Sequence, residues 1–110
     1  MIQDTIQKIE ARLKSAENLP LEKRTELLAL LADLKAEVGN LSHTNEEQAQ
    51  SIAGFAQVST HEATRAEVNP ELLGHSLAGL SGSVQGFEQS HPRLVQAVNS
   101  ICTTLSNLGI

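Results

Sequence analysis

Apolar side chains recur along this chain at alternating steps of three and four residues. That spacing sets them on one stripe of an α-helix and excludes the period-two alternation of a strand. Ile2, Ile6, Ile9 and Leu13 form the first stripe, which predicts a helix over about 2–17. Asp4 with Lys8 and Glu10 with Lys14 stand four apart, acid first, the order that supports an exposed helical face by a few tenths of a kcal/mol per pair. Asn18-Leu19-Pro20 interrupts the pattern, because proline disfavours helical geometry in the residue before it and suits a first helical turn. A second helix is predicted over 20–41. Its stripe of Leu27, Leu31, Leu34, Val38 and Leu41 is broadened by Leu28 and Leu30, so it should touch two neighbours.

Gly39-Asn40 reads as a stop, and Thr44 with Glu47 has capping-box spacing, which predicts a third helix over 44–68. The seam also runs on through Leu41, Asn45, Gln48, Ile52 and Phe55 without losing step. One unbroken helix over 20–68 is therefore an open alternative, since glycine inside a helix costs only about 1 kcal/mol. The third helix presents Ala49, Ile52, Ala56, Ser59, Ala63 and Ala66, with Phe55 and Val58 alongside, an alanine-rich packing face. Asn69-Pro70-Glu71 combines a capping side chain, a first-turn proline and an early acid, and starts a fourth helix over 70–89. Its seam is Leu73, Leu77, Leu80, Val84 and Phe87. A second line, Gly74, Ala78, Gly82 and Gly86, runs at strict four-residue steps, with Gly79 beside it. Four glycines weaken a helix by about 3–4 kcal/mol relative to alanine, which implies either a frayed, mobile helix or, as the preferred reading, a smooth ridge packing closely on the alanines of the third helix or on a second chain. Ser90-His91-Pro92 starts the fifth helix, 92–108, with Leu94, Val98, Ile101, Leu105 and Leu108 in step and Gly109 as its stop.

The fold class expected is all-α: a heptad-patterned bundle of four to five helices, made of helical hairpins in a single domain over 1–110. With two Phe, no Trp and no Tyr among 110 residues, the chain lacks the largest core fillers. Oligomeric, coiled-coil-like packing would ease that shortage. A net charge of −5 disfavours nucleic acid and anionic membrane surfaces, both of which call for a basic stripe. Residues 42–110 hold only Arg65 and Arg93 against six acids. No apolar run approaches the roughly 18 residues of a membrane span. The single Cys102 excludes an internal disulfide, and Met1-Ile2-Gln3-Asp4 opens no signal segment. A cytoplasmic protein is expected, which makes the short acceptor match Asn40-Leu41-Ser42 meaningless.

His61-Glu62-Ala63-Thr64-Arg65 carries the first two letters of the zinc-protease helix motif, but Arg65 stands where the second histidine is required. Arginine stays protonated and cannot ligate zinc. A surface pair of Glu62 and Arg65, with His61 partly exposed, explains these residues better. His43, His75 and His91 lie at or near predicted helix starts or turns, with no second cysteine or acidic triplet beside them. Cys102 adjoins Ile101 and reads as a small buried hydrophobe. Gly79, Gly82 and Gly86 form no phosphate loop, since neither a preceding strand nor a following Lys-Ser or Lys-Thr is present. No catalytic residue, metal ligand or cofactor is therefore expected. The residues singled out are an interaction surface of Leu27, Leu31, Leu34, Val38, Gly74, Ala78, Gly82 and Gly86, and a polar site of His61, Glu62 and Arg65.

The runs Ser51-Ile52-Ala53-Gly54-Phe55, His61-Glu62-Ala63-Thr64-Arg65, Asn69-Pro70-Glu71-Leu72-Leu73, Gly86-Phe87-Glu88-Gln89-Ser90-His91-Pro92 and Thr103-Thr104-Leu105-Ser106-Asn107 resemble a family of short bacterial proteins catalogued as a domain of unknown function, number 4404. The resemblance covers nearly the whole chain. It implies a bacterial helical protein and carries over no catalytic residue. The function expected is a helical homo-oligomeric interaction or scaffold protein, not an enzyme, associating with itself or an unidentified protein partner. A small-molecule or metal-binding bundle using His61 and His75 is the alternative.

Overall fold

Five α-helices make up the chain in the computed structural model, which describes residues 2–108: α1 (Ile2–Ser15), α2 (Leu21–Ser42), α3 (Glu46–Ala63), α4 (Pro70–Ser83) and α5 (Pro92–Leu108). No strand occurs among the described residues. Gly109, the expected stop of the fifth helix, lies outside them. Between α1 and α2, Pro20 is extended (φ −58°, ψ 143°) and stands just before the helix instead of in its first turn. Arg24, in the first turn of α2, donates to the carbonyls of Leu13 at 3.0 Å, of Leu19 at 3.5 Å, and of Ala16. A cation thereby caps the C-terminal end of α1, where helix carbonyls have no partner within the helix.

A turn at His43-Thr44-Asn45 separates α2 from α3 and excludes the single helix over 20–68. The start of α3 is capped one residue later than the Thr44 and Glu47 spacing predicts: Asn45 Oδ1 accepts from the Gln48 N–H at 3.2 Å. The Thr44 hydroxyl turns back instead, donating to the Leu41 carbonyl at 3.3 Å at the end of α2. α3 stops at Ala63, short of the expected 68, and leaves Ala66 exposed beyond it. The reason lies far away in sequence. Arg12 of α1 donates to Thr64 Oγ1 at 2.8 Å and to the Thr64 carbonyl at 3.1 Å, so a second cation closes a second helix end.

Asn69 caps α4 as the sequence predicts, its Oδ1 accepting from the N–H groups of Glu71 (3.0 Å) and Leu72 (3.2 Å), with Pro70 opening the helix. α4 ends at Ser83, short of 89, and the chain turns through Gly86 at φ +94°, a conformation that favours glycine. The Glu88 carboxylate accepts from the Gly86 N–H at 3.0 Å. Phe87 therefore lies in the link, where its ring meets His91 edge-on with centroids 5.4 Å apart.

The five stripes close on one another. α3 touches all four other helices, α2 packs against α1, α3 and α5, and α1 touches α2 and α3 alone among the described residues. Apart from Ile52, the buried residues of α3 are small: Ala49, Ala53, Ala56, Ser59, Thr60 and Ala63. Short side chains on the central helix let its neighbours approach closely, and the bulk comes from them: Ile6, Leu13, Leu34, Val38, Leu41, Leu80, Leu94, Val98 and Leu105. The radius of gyration, 12.9 Å, is close to the ~13 Å of an ordinary 100-residue domain. The core is thus filled within one chain.

Candidate interaction face

The leucine seam expected to join two chains lies inside one. Leu27, Leu31, Leu34 and Val38 are all buried in the monomer, Leu34 and Val38 completely. The glycine line has the opposite fate. Gly74, Ala78, Gly82 and Gly86 are exposed, and a Cβ added to any of the three glycines meets nothing within 4 Å. The expected ridge on the alanines of α3 is therefore corrected. α4 turns Leu73, Ser76, Leu80 and Ser83 inward, and a rotation of 100° per residue then carries the four-residue line round to solvent.

Gly79 is the glycine at the contact. A Cβ there would fall 2.6 Å from Phe55 Cδ1 and 3.1 Å from Cζ, so the ring lies directly over the α4 backbone. Gln48 marks the same seam nearer the start of α3, its Nε2 donating to the Ser83 carbonyl at the end of α4. Contacts that rise along α3 (48, 55) while falling along α4 (83, 79) make the two helices antiparallel.

Beside that seam the surface is apolar. Phe55, Val58 and Leu72 remain 41%, 49% and 46% exposed. Phe55 and Val58 share one stripe of α3 at a three-residue step. Leu72 lies two turns from Gly79 on the same stripe of α4, with His75 between them. Leu21, at the start of α2, is the other large exposed hydrophobe among the described residues. Scattered apolar residues are ordinary on a surface, whereas grouped ones mark interaction sites. In the sequence Phe55 and Val58 sit alongside the alanine face and look like packing residues. Only the placement of α4, which covers one flank of α3, shows them to be bare.

The expected pair of Glu62 and Arg65 is formed, but Glu62 is part-buried and not a surface acid. Arg65 Nη1 contacts Glu62 Oε1 at 3.0 Å, and His61 Nε2 lies 4.0 Å from Glu62 Oε2 with its ring largely in solvent. His43 caps the end of α2, His91 directly precedes α5, and His75 sits in the middle of α4, away from any turn. Among the described residues no three His, Cys, Asp or Glu side chains approach closely enough to hold one metal ion. Cys102 is half-buried with Sγ 4.0 Å from the Leu77 carbonyl, and burial pushes its thiol pKa up. That is the wrong direction for a nucleophile. Lys14, 2.8 Å from Glu10, holds that carboxyl below its ordinary range on a partly exposed face. Ser59 Oγ is fully buried without a hydrogen-bond partner. No described helix is long and apolar enough to cross a membrane.

No curated protein and no solved structure matches the chain. The family model described as Domain of unknown function (DUF4404) matches residues 27–110. That stretch takes in α3, α4, α5 and most of α2 and leaves α1 outside, a narrower span than near-complete coverage. It is well over half of the chain, and the protein belongs to the DUF4404 family.

Proposed function

We propose that this chain is a cytoplasmic, non-enzymatic interaction protein that binds another polypeptide through the α3–α4 face. One observation carries the reading: Phe55, Val58 and Leu72 each keep more than two-fifths of their surface in solvent, whereas most leucines of the helical seams are buried and Leu77 and Leu108 partly so. Self-association, the form of interaction expected from the heptad pattern, would have to use this face too, because Leu27, Leu31, Leu34 and Val38 are enclosed. No observation favours a histidine-based metal or ligand site over it.

A photo-crosslinking residue placed at Val58 in the living cell tests the proposal, with a control at the exposed Ala29 on α2. Adducts from position 58 and none from position 29 are expected, whether the captured chain is a second copy or another protein. An empty position 58, together with a monomeric mass at all concentrations, refutes it.

A further inference from the structure

We infer that the occupant of the α3–α4 face is a cationic amphipathic helix of a partner protein; this rests on the α3–α4 face being an interaction site. The charge around the face decides the occupant. On α3, Glu47, Ser51, Phe55, Val58 and Glu62 follow at steps of four, four, three and four; Glu47 is exposed at one end, while Glu62 at the other is part-buried and paired with Arg65. Glu71 adjoins Leu72 at the start of α4. From residue 43 to residue 92 the chain holds six acids and a single Lys or Arg, Arg65, which pairs with Glu62 at 3.0 Å, so the segment keeps an excess of five acids. A partner that buries Phe55, Val58 and Leu72 must therefore bring its own cations.

A second copy fits poorly. Each copy has a net charge of −5, and pairing this face with itself brings two acid-rich segments together. The shape admits a helix. Phe55 and Val58 stand on the α3 side of the face and Leu72 and His75 on the α4 side, and at Gly79 the Phe55 ring lies low against the α4 backbone. An α-helix can lie along such a surface with anchors at i, i+3, i+4 and i+7. The stripe from Glu47 to Glu62 is about 22 Å long at 1.5 Å per residue, which a helix of about 15 residues matches.

The test titrates isotopically labelled full-length protein with three peptides of about 15 residues. One carries Leu and Phe anchors with lysines elsewhere, the second has glutamates in place of the lysines, and the third has the lysine composition with its anchors scrambled. Amide shifts from the first peptide are expected to be confined to α3 and α4. Its affinity should exceed that of the glutamate peptide by about tenfold or more and fall as salt is raised. Val58→Asn with Leu72→Asn should abolish the shifts, and Glu47→Gln with Glu71→Gln should weaken binding while leaving the fold intact by circular dichroism. Equal binding of lysine and glutamate peptides overturns the charge inference and leaves the interaction face standing. Equal binding of the scrambled peptide reduces the effect to diffuse attraction and overturns it as well. A self-associated mass that Val58→Asn reverts to monomer makes the occupant a second copy, which again overturns the inference but not the face. No shifts with any peptide overturn the inference, and an empty crosslinker at position 58 then removes the face too.

Discussion

Replacing Gly74 and Gly79 in turn by alanine separates helix propensity from packing on a single helix. Both lie inside α4 and neither has a positive φ. Gly74→Ala places a methyl in open space, so it should yield the full propensity gain of about 0.8–1.0 kcal/mol and raise the Tm by about 4 °C for a chain of this size. Gly79→Ala has the same intrinsic gain but drives its methyl into the Phe55 ring. The ring can swing outward, since 41% of Phe55 is already exposed. It then loses most of the three-fifths of its contact that remains, about 1–2 kcal/mol on a scale where full burial is worth about 1.5–3. Gly79→Ala should therefore be neutral or destabilising by up to about 1 kcal/mol. In a Phe55→Ala background the obstacle is gone and the gain of about 1 kcal/mol should return. Chemical denaturation of the four variants gives the coupling energy directly. If Gly79→Ala stabilises the protein as much as Gly74→Ala while Phe55 is present, the ring does not lie on α4 and the reasoning fails.

Leu34→Ala should destabilise by about 2–5 kcal/mol and His61→Ala by less than about 0.5, because one side chain is wholly buried and the other stands in solvent; thermal melts that reverse the order would show a structured polar site. Ser59→Ala should raise stability by about 1 kcal/mol in urea titrations, since the hydroxyl it removes is buried without a partner; a comparable loss would mean that the hydroxyl is satisfied. Cys102 should react with a thiol reagent more slowly at neutral pH in the folded protein than in urea, because a raised pKa leaves less thiolate; equal rates would place the thiol in solvent.

The helices were legible where a local rule sufficed. Asn69 and Pro70 fix the start of α4 through backbone groups two and three residues away. Leu27 to Leu41 declare the inner face of α2 by spacing alone. The helix ends were harder, because their partners are remote: α3 closes under Arg12, 52 positions from Thr64, and no periodicity announces such a bond. The glycine line misleads for a different reason. Its four-residue step identifies a stripe but not the direction in which the stripe points, which is set by how Leu73 and Leu80 seat α4 in the core. The exposed face was illegible on the same ground. Phe55 and Val58 have the hydrophobicity of core residues, and only the position of a helix some twenty residues further along leaves them uncovered.

The central place of α3 inverts the usual rule for which substitutions are dangerous. Around it, harm comes from truncating a leucine and leaving a void. Ala49, Ala53, Ala56 and Ala63 instead are buried on a helix that meets all four others, and the damaging change is growth, since added methylenes must displace packed neighbours. Variation on this helix is bounded by a volume ceiling: at these positions valine should cost more than serine, whose added hydroxyl fits if a backbone carbonyl one turn back accepts from it, as the Ala56 carbonyl does from Thr60.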